Sequence, residues 1–261
     1  MKLTTDPSAM TASDSMLAAT ARAPRNPLAI VMSSGTLDAL KWLALVLMVL
    51  DHTDKFILHG SVPVFSAMGR LCLPLFSFAL MYSLAQPGAI ESGVALRVAR
   101  RCVLAGLVAM PFYVYLCGSI DTLIGTIFPL NALFQFALSA VLVQCQAGST
   151  VPGFRGTAHA AAAGTLFVLG GLVVEYWWFG LLLSGTTFAF CRAPSVLTLL
   201  GWCAALFALT VPNDSAWAVA ALPLVWLAPL VSIQLPRVRQ AFYVLYPLHF
   251  ALLAAALFVI N

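Results

Sequence analysis

The chain has 261 residues, 62% of them hydrophobic and only 8% charged, and its mean hydropathy is +0.98. A soluble domain carries about 25% charged residues, so this composition excludes an ordinary soluble enzyme and describes an integral membrane protein. The net charge of +4 does not mark a nucleic-acid binder, because the arginines punctuate apolar segments instead of forming a basic field.

In chain order, residues 1–27 are rich in Ala, Ser, Thr and Pro and lack the apolar core of a secretory signal. They are expected to form a disordered cytoplasmic tail, and residues 28–261 the membrane domain. Nine apolar segments follow, at about 37–58, 63–86, 95–117, 128–146, 158–174, 176–191, 195–211, 216–235 and 240–260. Turn signals separate them: Gln86-Pro87-Gly88, Gly118 with Asp121, Gly148 to Gly153, Arg192-Ala193-Pro194, Pro212-Asn213-Asp214 and Leu235-Pro236. The segments at 158–174 and 176–191 are short for a hydrocarbon core of about 30 Å. The predicted fold is therefore an all-α, polytopic membrane helix bundle of about nine spans. With the amino terminus inside, Arg22, Arg25, Arg97, Arg100, Arg101, Arg155, Arg192, Arg237 and Arg239 fall on the cytoplasmic side, and only Lys55 and Arg70 fall outside. That asymmetry predicts an N-in, C-out topology.

The first segment is apolar yet carries Asp38, Lys41, Asp51, His52, Asp54 and Lys55. An ionisable side chain at mid-span costs roughly 2.5–3.5 kcal/mol on insertion scales, and so usually marks function. Lys41 and His52 are eleven residues apart, close to three helical turns, so they share a face about 16 Å apart along the axis. Asp38 and His59 fall near the same arc. Asp51 points about 100° away from His52 and is suited to orienting a group on a neighbouring helix.

The third segment opens with Arg97, Arg100 and Arg101, whose spacing places three guanidiniums on one face. Such a run sets topology. It also suits a phosphate clamp, since Arg binds phosphate oxygens in a planar fork. The six cysteines, Cys72, Cys102, Cys117, Cys145, Cys191 and Cys203, show no CxxC or metal spacing. They read as small packing hydrophobes, with neither a disulfide framework nor a metal expected.

Asp38-Ala39-Leu40-Lys41-Trp42 through Met48-Val49-Leu50-Asp51-His52, Gly69-Arg70-Leu71 with Pro74-Leu75-Phe76, Glu175-Tyr176 with Gly180, and Tyr246-Pro247-Leu248-His249 together resemble the TraX family, over most of residues 37–260. That family, with its TrbP-like plasmid members, is associated with conjugative transfer and N-terminal acetylation of pilin. The Lys41-to-His52 spacing and the Arg97/Arg100 pair are also similar to signatures of the wider membrane acyltransferase three superfamily. The resemblance implies a multi-pass protein of the bacterial inner membrane that uses acetyl-CoA as donor, with a pilin subunit or other small acceptor as partner alongside membrane lipid.

Under that reading Lys41, Arg97, Arg100 and Arg101 would hold the coenzyme phosphates, and His52 would be the general base, a role that suits a neutral imidazole. A pantetheine arm is of the same order of length as the roughly 16 Å between Lys41 and His52. The expected cavity is walled by the first three segments. Glu175 is expected near its outer opening, either orienting His52 or holding a helix end. Arg70 reads equally as a functional residue or an interfacial snorkeler, and His249 is a secondary site residue. His59 and His159 read as non-catalytic, and Tyr176, Trp177, Trp178 and Trp217 as an interfacial aromatic belt. The alternatives are an O-acetyltransferase acting on an envelope sugar, a proton-coupled transporter and a non-enzymatic assembly scaffold.

Overall fold

The structure, a computed structural model, describes residues 26–117, 129–231 and 240–260. The amino-terminal tail with Arg22 and Arg25, the turn at Gly118 and Asp121, the loop with Leu235-Pro236, Arg237 and Arg239, and Asn261 lie outside the described residues.

Ser33 caps the first helix, α1 (Ser34–Phe56), by accepting from the Thr36 backbone N–H at 3.0 Å. The second predicted segment is broken into α2 (Pro63–Gly69) and α3 (Cys72–Leu84). Pro74 explains the break: without an N–H it cannot bond the Arg70 carbonyl one turn back, so the ladder lapses at Arg70-Leu71. α4 (Val94–Cys117) contains Pro111, and α5 (Ala132–Ser149) starts at the buried Asn131. The Asn131 side chain accepts from the Leu133 N–H at 3.1 Å and donates to the Gly106 carbonyl at 3.1 Å. This seats the first turn of α5 beside the middle of α4. Gly106 permits the approach, because a Cβ there would meet the Phe134 ring at 2.9 Å.

The pair α6 (Phe154–Gly171) and α7 (Trp177–Arg192) confirms two separate short helices where the sequence left a close turn. Residues 172–176 link them, and an isolated bridge joins Val174 to Leu130. Helix α8 (Val196–Ala208) runs on into α9 (Thr210–Asn213), with a lapse at Leu209 next to Pro212. Two short 3-10 turns flank α10 (Ala221–Leu227), and the described part of the chain closes with α11 (Ala241–Ile260).

Four described helical runs are long and apolar enough to cross a membrane: Pro63–Leu84, Ala132–Ser149, Val196–Asn213 and Ala241–Ile260. Helices α1 and α4 have the length, at 23 and 24 residues, and differ by carrying the ionisable clusters. The outward faces of α4 (Leu104, Leu107, Val108) and α8 (Leu197, Leu200, Phe207) are apolar and exposed. An apolar surface of this extent belongs in lipid, and the protein is an all-α membrane helix bundle.

One closed ring of helices organises the interior. α1 packs on α3, α3 on α5, α5 on α4, α4 on α11, and α11 returns to α1. α2 lies against α1, and α7 backs α3 and carries α8 on its other side. Away from the ring's centre, Trp202 on α8 is 2% exposed and stacks between Phe78 at 5.7 Å and Phe190 at 5.2 Å, with Trp226 at 6.1 Å. Truncating a buried Trp costs about 3–5 kcal/mol. Trp202→Ala is therefore expected to lower the thermal midpoint of the detergent-solubilised protein by several degrees. An unchanged melt would show that this stack does not hold α7, α8 and α10 together.

Candidate functional site

The ring encloses a cavity of about 230 Å³. α1 gives it Lys41, Leu45, Met48, Asp51 and His52, a run at helical spacing that makes one continuous face. The opposite wall comes from α3 between Cys72 and Ser83, from Ala132, Leu133 and Phe136 of α5, and from Phe242, Tyr243 and Tyr246 of α11. Gly69, Glu175 and Tyr176 complete it, and α4 contributes Val98. The expectation that the first three segments form the walls therefore needs correction. The third contributes one residue, and the first turn of α5 and the terminal helix take its place.

At the amino-terminal end of α1, Lys41 Nζ donates to Asp38 Oδ1 at 2.8 Å, a partly buried pair on one helix. The ammonium lies 6.0 Å from the centroid of the Phe242 ring. Phe242 in turn contacts Trp42 at 5.2 Å and Phe76 at 6.3 Å, and Phe76 contacts Phe136 at 6.1 Å. These rings tie α1, α11, α3 and α5 together around the cavity and give its middle an apolar, aromatic lining.

The other end is polar. His52 Nδ1 lies 2.9 Å from His249 Nε2 on α11. Phe250, fully buried, packs on both imidazoles at 4.9 and 4.1 Å and is itself met edge-on by Tyr113 and Tyr246. The sequence reading offered Glu175 as a group that orients His52; among the described residues the group on His52 Nδ1 is His249. Glu175 lies in the link between α6 and α7 and lines the cavity together with Ala132 at the start of α5. Asp51 shares the cavity wall with His52 and Glu175.

Asp54 is structural. Its carboxylate accepts from the Val62 N–H at 2.8 Å and holds the start of α2. Arg70 turns inward, with Nη1 3.5 Å from Asn213 Oδ1 and its charge acting on Asp51 and Glu175.

The arginine cluster stands apart from the cavity. Arg97, Arg100 and Arg101 are exposed and none of them lines it. Arg97 Nη1 bonds back to the Ser92 carbonyl at 2.6 Å. Arg101 is the nearest in effect, acting on the cavity-lining Tyr243. Tyr176 lines the cavity and leaves the aromatic belt to Trp177 and Trp217, which are exposed. His59 lies exposed in the turn after α1, and His159 is exposed against Gly148.

Sequence reasoning missed Gly69, Tyr243, Tyr246 and Phe250. The terminal Tyr246-Pro247-Leu248-His249 run was noticed only as a resemblance. Its signal was a polar pair, Tyr246 and His249, three residues apart on an otherwise apolar helix.

A membrane helix bundle with an ionisable face turned into an interior cavity defines the class of this protein. The chain belongs to the TraX family: the family model described as TraX protein matches residues 36–256. Searches of curated proteins and of solved structures give no match.

The tightest helix contact at the site is at Gly69, where a Cβ would meet the Asp51 Cβ at 2.4 Å. The obstacle is the stem of a side chain, so α1 and α2 would have to separate. Gly69→Ala is expected to lower the thermal midpoint, and adding Asp51→Gly to recover it. A Gly69→Ala protein melting at the wild-type temperature would contradict this close approach.

Proposed function

We propose that the protein is an acetyltransferase that moves an acetyl group from acetyl-CoA to an amine, the amino terminus of a pilin subunit. The observation that carries this reading is the single cavity lined at one end by Lys41 and at the other by His52. Family membership and the resemblance of these residues to acyltransferase signatures support it further. The volume lies below the roughly 300–1,000 Å³ of pockets that enclose whole ligands. It suits a slender thioester arm, with the nucleotide left outside at the Lys41 end.

The chemistry follows from the residues. The acceptor ammonium loses one proton to solvent water to become a free amine, whose lone pair attacks the thioester carbonyl. His52 Nε2 takes the second proton as the tetrahedral intermediate forms. Collapse breaks the carbon–sulfur bond and releases the coenzyme thiolate, which is reprotonated from the imidazolium. Asp51 and Glu175 beside His52 offer acceptors for an incoming ammonium, which favours an amine over a neutral sugar hydroxyl. The arginine asymmetry supports a cytoplasmic Lys41 end and an acceptor arriving from the opposite side.

The test is transfer by the purified protein in nanodiscs from labelled acetyl-CoA to a pilin-like peptide, with the same peptide blocked at its amino terminus as control. The free peptide is expected to be labelled and the blocked one not. His52→Ala is expected to lose 10²–10⁴-fold in kcat with coenzyme A binding retained. Lys41→Ala is expected chiefly to raise the KM for acetyl-CoA. Label reaching a sugar acceptor and not the peptide would move the reaction to O-acetylation. Near-normal turnover by a folded His52→Ala protein would remove the proposed base.

A further inference from the structure

α11 lays out the length of the cavity along its own axis. Near its start the Phe242 ring lies 6.0 Å from the Lys41 ammonium, and seven residues on His249 meets His52 at 2.9 Å. Tyr246 stands between them and lines the same cavity. At 1.5 Å per residue it is about 6 Å past Phe242 and about 4.5 Å short of His249. A long helical side chain leans toward the amino terminus of its helix, so the phenol reaches back toward the Lys41 end. That places it on the donor side of the histidine pair, along the path proposed for the thioester arm.

The ring of Tyr246 packs, and the hydroxyl adds nothing to that packing. The ring meets His249 and Phe250 edge-on, both at 5.3 Å, contacts that a phenylalanine would make as well. Buried polar atoms left without a partner belong to Gln135, Ser139, Gln144 and His249 among the described residues, and not to Tyr246. No described residue accepts a hydrogen bond from the Tyr246 hydroxyl, which opens on the cavity that the residue lines.

Few side chains on the cavity wall are free to donate. The Cys72 thiol is committed to the Ala44 carbonyl at 3.2 Å, and the Ser83 hydroxyl to the Ala79 carbonyl at 2.7 Å. Lys41 is paired with Asp38 at the donor end. Three phenols remain, on Tyr176, Tyr243 and Tyr246. Tyr243 sits almost a full turn closer to Phe242 and the Lys41 end. Tyr176 has no ring contact with either histidine among the described residues, whereas Tyr246 touches His249 directly.

We infer that Tyr246 is a further catalytic residue of the proposed transfer: its hydroxyl donates to the thioester carbonyl oxygen and to the oxyanion that this oxygen becomes. As the amine nitrogen bonds to the carbonyl carbon, the carbonyl π pair moves onto oxygen, where the phenol O–H receives it. When that pair returns, the carbon–sulfur bond breaks and the coenzyme leaves as the thiolate. Tyr246 keeps its proton throughout, so proton transfer stays with His52. A fixed neutral donor in an apolar cavity stabilises charge that develops in the transition state. Being uncharged, it does so without repelling a cationic acceptor.

The inference rests on the acetyltransferase reading, and the experiment separates the two by observing the carbonyl before any transfer. Acetyl-CoA carrying carbon-13 at its carbonyl is bound to the protein in nanodiscs without acceptor, and its C=O stretch is followed by infrared difference spectroscopy. Transfer to the pilin-like peptide is measured separately. In Tyr246→Phe, which keeps the ring, the band is expected to move to higher frequency. The same variant is expected to lose 10²–10³-fold in kcat with the KM for acetyl-CoA unchanged. Replacing Tyr246 with a fluorotyrosine, a more acidic phenol of nearly the same shape, is expected to move the band the other way, and serves if Tyr246→Phe does not assemble. A carbonyl band at one frequency in the wild type and the variants overturns the inference whatever the turnover. An unchanged kcat in folded Tyr246→Phe also overturns it, since Tyr246 would then only pack or bind the donor. The expected band shifts with no transfer to any acceptor would leave the contact standing and remove the acetyltransferase reading. Acetyl-CoA that fails to bind the wild type removes both.

Discussion

An α-helix that carries Asp38, Lys41, Asp51, His52 and Asp54 cannot lie with that face against lipid, and the bundle is arranged around this constraint. Each ionisable group left in hydrocarbon would cost several kcal/mol, so the face of α1 has to be enclosed. The ring of α3, α5, α4 and α11 provides the enclosure, leaving the apolar faces of α4 and α8 to the outside. Within it the charges are dealt with individually. Lys41 pairs with Asp38, Asp54 holds the start of α2, and His52 meets His249. The cavity is the space that remains once these groups are shielded and the aromatic side chains have filled what they can.

Interrupted helices are part of the same solution. Pro74 ends the ladder at Arg70, and the break lets the guanidinium turn toward Asn213 and the cavity carboxylates. Asn131 starts α5 deep beside Gly106, which puts Ala132 on the cavity wall with Glu175. A backbone that stops and restarts inside a membrane protein leaves unpaired groups, tolerated only where protein or a cavity satisfies them. Here those places coincide with the walls of the site.

Much of the fold was legible because it depends on local pattern. Hydropathy and turn residues located the main helical segments among the described residues, and the 3.6-residue period put Lys41 and His52 on a common face before any neighbour was known. The break at Arg70 was also written locally, in Pro74, but was passed over. What was not legible is which helix faces which. His249 is 197 residues from His52, and no local rule links them. The same blindness assigned Tyr176, which lines the cavity, to an interfacial belt. Residue type and span position were right there, and the direction of the side chain was decided by packing.

The central claim is that the enclosed face of α1 holds an acyl donor along its length. It is tested most directly by a cryo-electron microscopy structure of the protein with a non-hydrolysable acetyl-CoA analogue. The account predicts the pantetheine arm lying inside the helix ring along Leu45 and Met48, its acyl carbonyl beside His52 Nε2 and its phosphates at the Lys41 end. A donor bound outside the ring, or one whose acyl group lies away from His52, would contradict it.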